Sequence, residues 1–203
     1  MTTIIDLPHS GYVEASPRFV DFSTRHIPNL GQEEQQIVRM GARYAVAITL
    51  GRKLYEAVGD EGGMEWISLL EQAMQGEARY PFPQPKIATT GAGTPRVRTA
   101  GQSGSILSSD GFSANYAYRR GQAFSLIHGG NHYLHKFSAN GSVDANGIGS
   151  LPIFPMLRVE PDDNALLEIE TPLIQGKIAG DQTSWTIDRM RTTGITFAIV
   201  EKR

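Results

Sequence analysis

Three histidines, His128, His132 and His135, fall within eight residues of one another, and neutral imidazoles gathered in this way are the commonest ligands of zinc and copper. Acidic residues gather at Glu160, Asp162 and Asp163, oxygen donors of the kind that hold calcium. They lack the loop length and the closing glutamate of a calcium loop, so a solvated turn is the better reading. Gly91-Ala92-Gly93-Thr94-Pro95 is as rich in glycine as a phosphate cradle, but Pro95 removes a backbone donor and no lysine follows; it reads as a loop. Arg119-Arg120 beside Tyr116 and Tyr118 could stack on bases or sugars, and equally could form the wet face of a strand beside a turn. A nucleophile needs a base in reach and a group to orient that base. The chain has no G-x-S-x-G, no H-E-x-x-H and no G-x-x-x-x-G-K-[ST]. No catalytic, cofactor-binding or metal-ligating residue is assigned, no cofactor is expected, and the chain is not expected to be an enzyme.

The backbone must decide whether the histidines meet. Gly129-Gly130 is a two-residue hairpin signal between Phe124 to His128 and Asn131 to Phe137. With that turn, Phe124, Leu126, Tyr133, His135 and Phe137 share one apolar face, while His132 goes to the opposite face with Ser125, Ile127 and Leu134. The imidazoles then diverge.

The rest of the chain also reads mostly with a period of two. Tyr44, Val46, Ile48 and Leu50 alternate with small or polar residues from Arg43 onward, which predicts a half-buried strand. Trp185 and Ile187 predict a short strand, and Ile195, Phe197 and Ile199 a central one covered on both faces. Residues 41–50, 184–190 and 194–201 are expected in one sheet. Trp66, Leu70 and Ala73, with Ile67 and Met74 beside them, sit at helical spacing and predict one helix over 64–75. Asp60 and Gly62-Gly63 are suited to its opening turn, and Gly76 to a left-handed residue that ends it.

After the helix, Pro81, Pro83 and Pro85 favour an extended segment and forbid a central strand. Turn signals then follow at close intervals as far as Thr171-Pro172, the rhythm of a small antiparallel barrel. The fold class is mainly β with one helix. A discontinuous outer β-barrel or sandwich domain, residues 1–85 and 172–203, is expected to carry the helix and to hold an inserted β-barrel domain, residues 86–171.

Composition bounds the function. The chain has 203 residues, 40% hydrophobic and 20% charged, with 22 Gly and 11 Pro, enough for a large core and many turns. Cys is absent, which removes disulfides, thiolate zinc sites and cysteine nucleophiles. A formal net charge of -2 provides no field for drawing in phosphates, so nucleic acid recognition is not expected. No long apolar run predicts a membrane span or a secretory leader, and synthesis in the cytoplasm is expected.

Short motifs scattered along the chain also form a pattern. They are Gly101-Gln102-Ser103-Gly104, Asp110-Gly111-Phe112, Arg120-Gly121-Gln122-Ala123-Phe124-Ser125, Tyr133-Leu134-His135, and Leu151-Pro152-Ile153-Phe154-Pro155-Met156-Leu157-Arg158. Gln35 with Gly41-Ala42-Arg43-Tyr44, the Trp66 to Gly76 helix, and Trp185-Thr186-Ile187 through Gly194-Ile195-Thr196-Phe197 extend it over nearly the whole chain. Together they resemble tail-tip structural proteins of long-tailed bacteriophages and prophages, similar to distal tail proteins. Gln122 stands where an aspartate is usual, and Tyr44 where a tryptophan is common. The resemblance implies a virion structural protein at the distal end of the tail, a hexameric ring joining the tail tube to the baseplate or tail-fibre apparatus. Its implied partners are further copies of itself, the tail tube protein and baseplate hub proteins, with no membrane insertion. A carbohydrate- or receptor-binding module, with Tyr116, Tyr118, Tyr133 and Trp185 as stacking platforms, is the alternative. A hydrolase acting on cell-wall polymers with paired carboxylates is a third class.

Overall fold

The structure, a computed structural model, describes residues 3–9, 11–27, 33–87, 89–180 and 185–202. The first part of the chain forms β1 (Ile4–Asp6), β2 (Tyr12–Val20), β3 (Thr24–His26), β4 (Gln35–Ile37), β5 (Arg43–Leu50) and β6 (Lys53–Leu54). Helix α1 (Gly63–Met74) and β7 (Glu77–Pro81) follow. The middle of the chain supplies β8 (Gly93–Val97), β9 (Ile106–Phe112), β10 (Ala117–Tyr118), β11 (Ala123–His128), β12 (Asn131–Phe137), β13 (Gly141–Ser142), β14 (Gly149–Phe154) and β15 (Leu167–Glu168). The chain ends with β16 (Leu173–Ile178), β17 (Thr186–Ile187), β18 (Thr192–Gly194) and β19 (Thr196–Glu201). The fold is mainly β with one helix, as its periodicity predicts.

One six-stranded sheet runs β1-β7-β16-β19-β5-β2 and draws on both ends of the chain. The alternation of Tyr44, Val46, Ile48 and Leu50 buries all four side chains, and their strand shares this sheet with β19 as expected, the two being direct neighbours. Helix α1 covers the same face. Trp66, Ile67, Leu70 and Ala73 are buried in one cluster with Tyr80, Phe197 and Ile199, and the Trp66 ring lies 6.0 Å from Phe197. Each large apolar side chain fully buried in this way contributes about 1.5–3 kcal/mol, which a short isolated helix cannot supply for itself.

The helix begins after Gly62 without a side-chain cap; instead the carbonyl of Asp60 accepts a hydrogen bond from Trp66 Nε1 at 2.8 Å. Gly76 does not adopt the left-handed conformation. A Cβ there would collide with the carbonyl oxygen of Thr3, so glycine is required by a close backbone approach, not by a helix stop.

A second six-stranded sheet runs β15-β11-β12-β14-β9-β8. Its two ends meet through a bridge between Arg96 and Leu166 and a hydrogen bond from Val97 N–H to Ala165 C=O at 2.9 Å, giving a nearly closed barrel. Phe124, Leu126, Phe137, Leu151 and Ile153 fill its interior. Full closure removes sheet edges that would otherwise pair with other chains.

Four further local expectations need correction. β17 does not join the main sheet: it pairs with β18, and β18 with β6, in a separate three-stranded sheet. The strands are two or three residues long, too short for alternation to reveal the partner, and Ser184 lies outside the described residues. Pro81 ends β7, which lies between β1 and β16; a proline is tolerated at a strand's last residue because the donors before it are intact. β19 is a central strand, yet Thr196 on its second face is exposed and Ala198 and Val200 are half-buried, so only one face is fully covered. Gly93, Thr94 and Pro95 are not a loop but enter β8, whose pairing with β9 shifts register between Gly93 and Arg96. That bulge accommodates the missing donor of Pro95.

Candidate functional site

The Gly129-Gly130 hairpin forms in the predicted register, with His128 opposite Asn131 and Ile127 opposite His132. Both glycines have positive φ, as the tight turn demands. His132 Nδ1 lies 3.3 Å from Ser125 Oγ on one face. His135, fully buried on the other, stacks on Phe124 with ring centroids 5.8 Å apart. Its Nδ1 sits 2.9 Å from the Pro155 carbonyl, which can only accept, so Nδ1 carries the proton and Nε2 is left as a buried acceptor without a partner. Burial drives its pKa down to about 3, with Arg158 adding to the effect. His128 Nδ1 lies 3.1 Å from Asp162 Oδ2. Among the described residues no three His, Asp or Glu side chains are placed to hold a metal ion. Addition of zinc should leave the melting temperature unchanged, whereas a site filled at a hundred times its Kd would add about 2.7 kcal/mol. A zinc-dependent rise abolished by His132→Ala would contradict this geometry.

Sequence reasoning missed the polar seam between the two large sheets. The 131–135 part of β12 has β11 on one side only, because β14 pairs with it at Lys136 and Phe137. Side chains of the main sheet take the place of the missing strand. Gln175 Oε1 accepts from His132 N–H at 3.0 Å, and Glu201 Oε1 accepts from Leu134 N–H at 2.6 Å. Gln84 does the same for β11, accepting from Ala123 N–H at 2.6 Å and donating to its carbonyl at 3.3 Å. Ser125 Oγ accepts from Leu173 N–H at 3.1 Å.

Charges complete the seam. Glu201 also accepts from Tyr44 N–H at 3.0 Å and pairs with Arg158, both side chains nearly inaccessible to water. Burial is the largest influence on the Glu201 carboxyl and raises its pKa, against the pull of Arg158 and the two amides. Glu77, buried too, is desolvated but receives Lys202 Nζ at 2.8 Å and Gln175 Nε2 at 2.7 Å, and its pKa falls below the usual range. Lys136 Nζ lies 4.7 Å above the Tyr44 ring, and burial lowers its pKa. Buried donors and acceptors are costly when unpaired, so this arrangement holds the two sheets in one orientation.

The outer surface carries the remaining candidates. β2 pairs with β5 and has no partner on its other side among the described residues. Beyond it, β3 and β4 form a two-stranded ribbon of their own, and Ile27, Ile37, Val38 and Met40 are exposed. A groove of 370 Å³ runs beside the ribbon, lined by Phe19, Val38, Met40, Phe154 and Met156.

Of the aromatic platforms, Tyr118 is buried against Phe137 with centroids 4.6 Å apart, and Tyr133 is buried beneath Arg158. Tyr116 is half-buried, stacked on Phe112. Trp185 alone of the four is exposed. The Arg120 guanidinium is held by the Ser138 carbonyl at 2.8 Å, as a turn residue. Glu160, Asp162 and Asp163 are exposed at a turn. No helix among the described residues is long and apolar enough to cross a membrane. No family model matches the chain, and no curated protein matches its sequence.

Proposed function

We propose that this chain is a structural protein of a long-tailed phage virion, a distal-tail-like ring that connects the tail tube to the baseplate or tail-fibre apparatus. It acts through permanent contacts, not catalysis. The observation that carries the reading is the edge of the main sheet at β2, unpartnered among the described residues: β2 is nine residues long, and Ile37 of the ribbon is exposed with Ile27, Val38 and Met40 beside it. A two-stranded ribbon on its own is marginal in water, and a long bare edge invites pairing with another chain. A closed ring satisfies every such edge with the next subunit.

In this reading residues 1–85 and 172–203 form the discontinuous ring-forming domain, and the barrel of residues 86–171 is an insertion that projects outward. The partners are identical subunits, six in the ring by family resemblance, together with the tail tube protein and baseplate hub proteins. Neither nucleic acid recognition nor membrane insertion belongs to it. The protein is made in the host cytoplasm and resides at the distal end of the tail.

The test is the oligomeric state. Light scattering and negative-stain microscopy of purified protein should show a ring with a central hole. Val13→Lys and Ile37→Lys, both at exposed positions, should yield monomers while changing stability by no more than about 0.5 kcal/mol. A folded wild-type chain that stays monomeric at every concentration would remove the proposal.

A further inference from the structure

The small β17-β18-β6 sheet buries one face in part, since Ile187, opposite Thr193, is exposed, and leaves the other open. Lys53 and Thr193 are opposite one another in register and buried. The other parity carries Arg52 on the β6 side, Thr186 opposite Gly194, and Thr192, Gly194 and Thr196 at successive second positions. These residues line an open groove of 470 Å³ with Trp185 at its edge, within the ~300–1,000 Å³ typical of small-ligand sites.

The charges in the groove cancel. Arg52 Nη1 donates to Asp188 Oδ2 at 2.9 Å, and Asp188 is further occupied by Thr192 Oγ1 at 2.7 Å and by the N–H groups of Met190 and Thr192 at 2.9 Å each. These bonds hold the Asp188 carboxyl below the usual carboxylate range, the Thr192 hydroxyl contributing most. Asp188 therefore positions Arg52. The guanidinium keeps other N–H donors directed to a side chain surface that is 75% exposed.

Gly194 supplies a separate observation. It is not in the left-handed region, and nothing lies within 4 Å of where its Cβ would stand. Glycine weakens a strand, and here neither conformation nor crowding requires it. Its bare Cα leaves open space in the groove that Trp185 also lines.

We propose that this groove binds a neutral oligosaccharide. A pyranose has an apolar C–H face that stacks on an indole and a rim of hydroxyls that pair with hydroxyl and guanidinium groups, the two kinds of surface brought together here. An anionic ligand is disfavoured because Asp188 already neutralises Arg52. The proposal does not depend on ring assembly.

The chain has two tryptophans, of which Trp66 is wholly buried and Trp185 is 37% exposed. Titration with chitotetraose and with maltotetraose should therefore change the emission of Trp185 saturably for at least one of them, with a Kd of about 1 mM or below. Gly194→Gln should abolish that change while leaving the melting temperature in place. Trp185→Ala removes the reporter, so saturation-transfer NMR is its readout, and binding should weaken at least tenfold. Absence of a saturable response to both sugars, or its persistence in Gly194→Gln, would overturn the proposal. Tighter binding of a sulfated tetrasaccharide would overturn the neutral class. Shielding of Trp185 from acrylamide on assembly, with no sugar response, would identify the face as a subunit contact. Gel filtration of the same samples reports ring formation separately.

Discussion

Glu201→Ala should lower the stability of the folded chain by about 3–5 kcal/mol, because removing one member of a buried ion pair leaves the other charged and desolvated. The Arg158 side chain is only 4% accessible and would lose its carboxylate. Tyr44 and Leu134 would lose the acceptor of their amide hydrogens at the same time. For a chain of this size each kcal/mol moves the melting temperature by roughly 2–4 °C, so a fall on the order of 10 °C is expected. The double variant Arg158→Met with Glu201→Leu should recover the part of that loss due to the unpaired Arg158 charge, since an apolar pair carries no desolvation penalty, but not the part due to the Tyr44 and Leu134 amides, which still lack an acceptor. Urea unfolding of the three proteins checks both statements. A single-variant loss below about 1 kcal/mol would mean that the seam does not hold the sheets together.

Acid should destabilise the protein well above the carboxylate range, and His135 should account for much of the effect. An unfolded histidine binds its proton near pH 6.5, whereas His135 stays neutral down to about pH 3 in the fold. Unfolding therefore takes up a proton between those values. Stability is complete above the unfolded pKa and drains as pH falls toward the folded one, a loss of about 3–4 kcal/mol by pH 4 at 1.36 kcal/mol per pH unit. His132, pushed down to about 4 mainly by burial, acts in the same direction, though it is only partly covered. Glu77, with its pKa depressed, adds a loss that begins only as pH drops through the carboxylate range. Glu201, raised by burial, opposes these, so the informative quantity is the difference between variant and parent. His135→Gln keeps a donor toward Pro155 and should cost stability at pH 7 while flattening the fall between pH 6.5 and 4. Equal slopes for the two proteins would disprove the assignment.

The hairpin shows how far local rules reach in this chain. A Gly-Gly turn admits few backbone geometries, and period-two alternation then assigns a face to every residue from Ala123 to Phe137, so the divergence of His132 and His135 follows from residue order alone. Helix α1 and the burial of Tyr44, Val46, Ile48 and Leu50 are equally local, because an amphipathic stripe must find a core. That β5 and β19 share a sheet was also legible, each being long enough for matched alternation to carry information.

Tertiary structure alone decided the rest. β17 found β18 and β6 because strands this short have no readable period and take whatever edge the surrounding fold brings near. Tyr118 and Tyr133 are buried in the barrel's cluster while Trp185 stayed at the surface, a difference set by what each strand packs against and not by aromatic character. The side chains of Gln84, Gln175 and Glu201 complete strands β11 and β12 from 39, 43 and 67 residues away. No spacing rule links positions so far apart, since a hydrogen bond between them exists only once the two sheets have docked and excluded the water that would otherwise satisfy those amides.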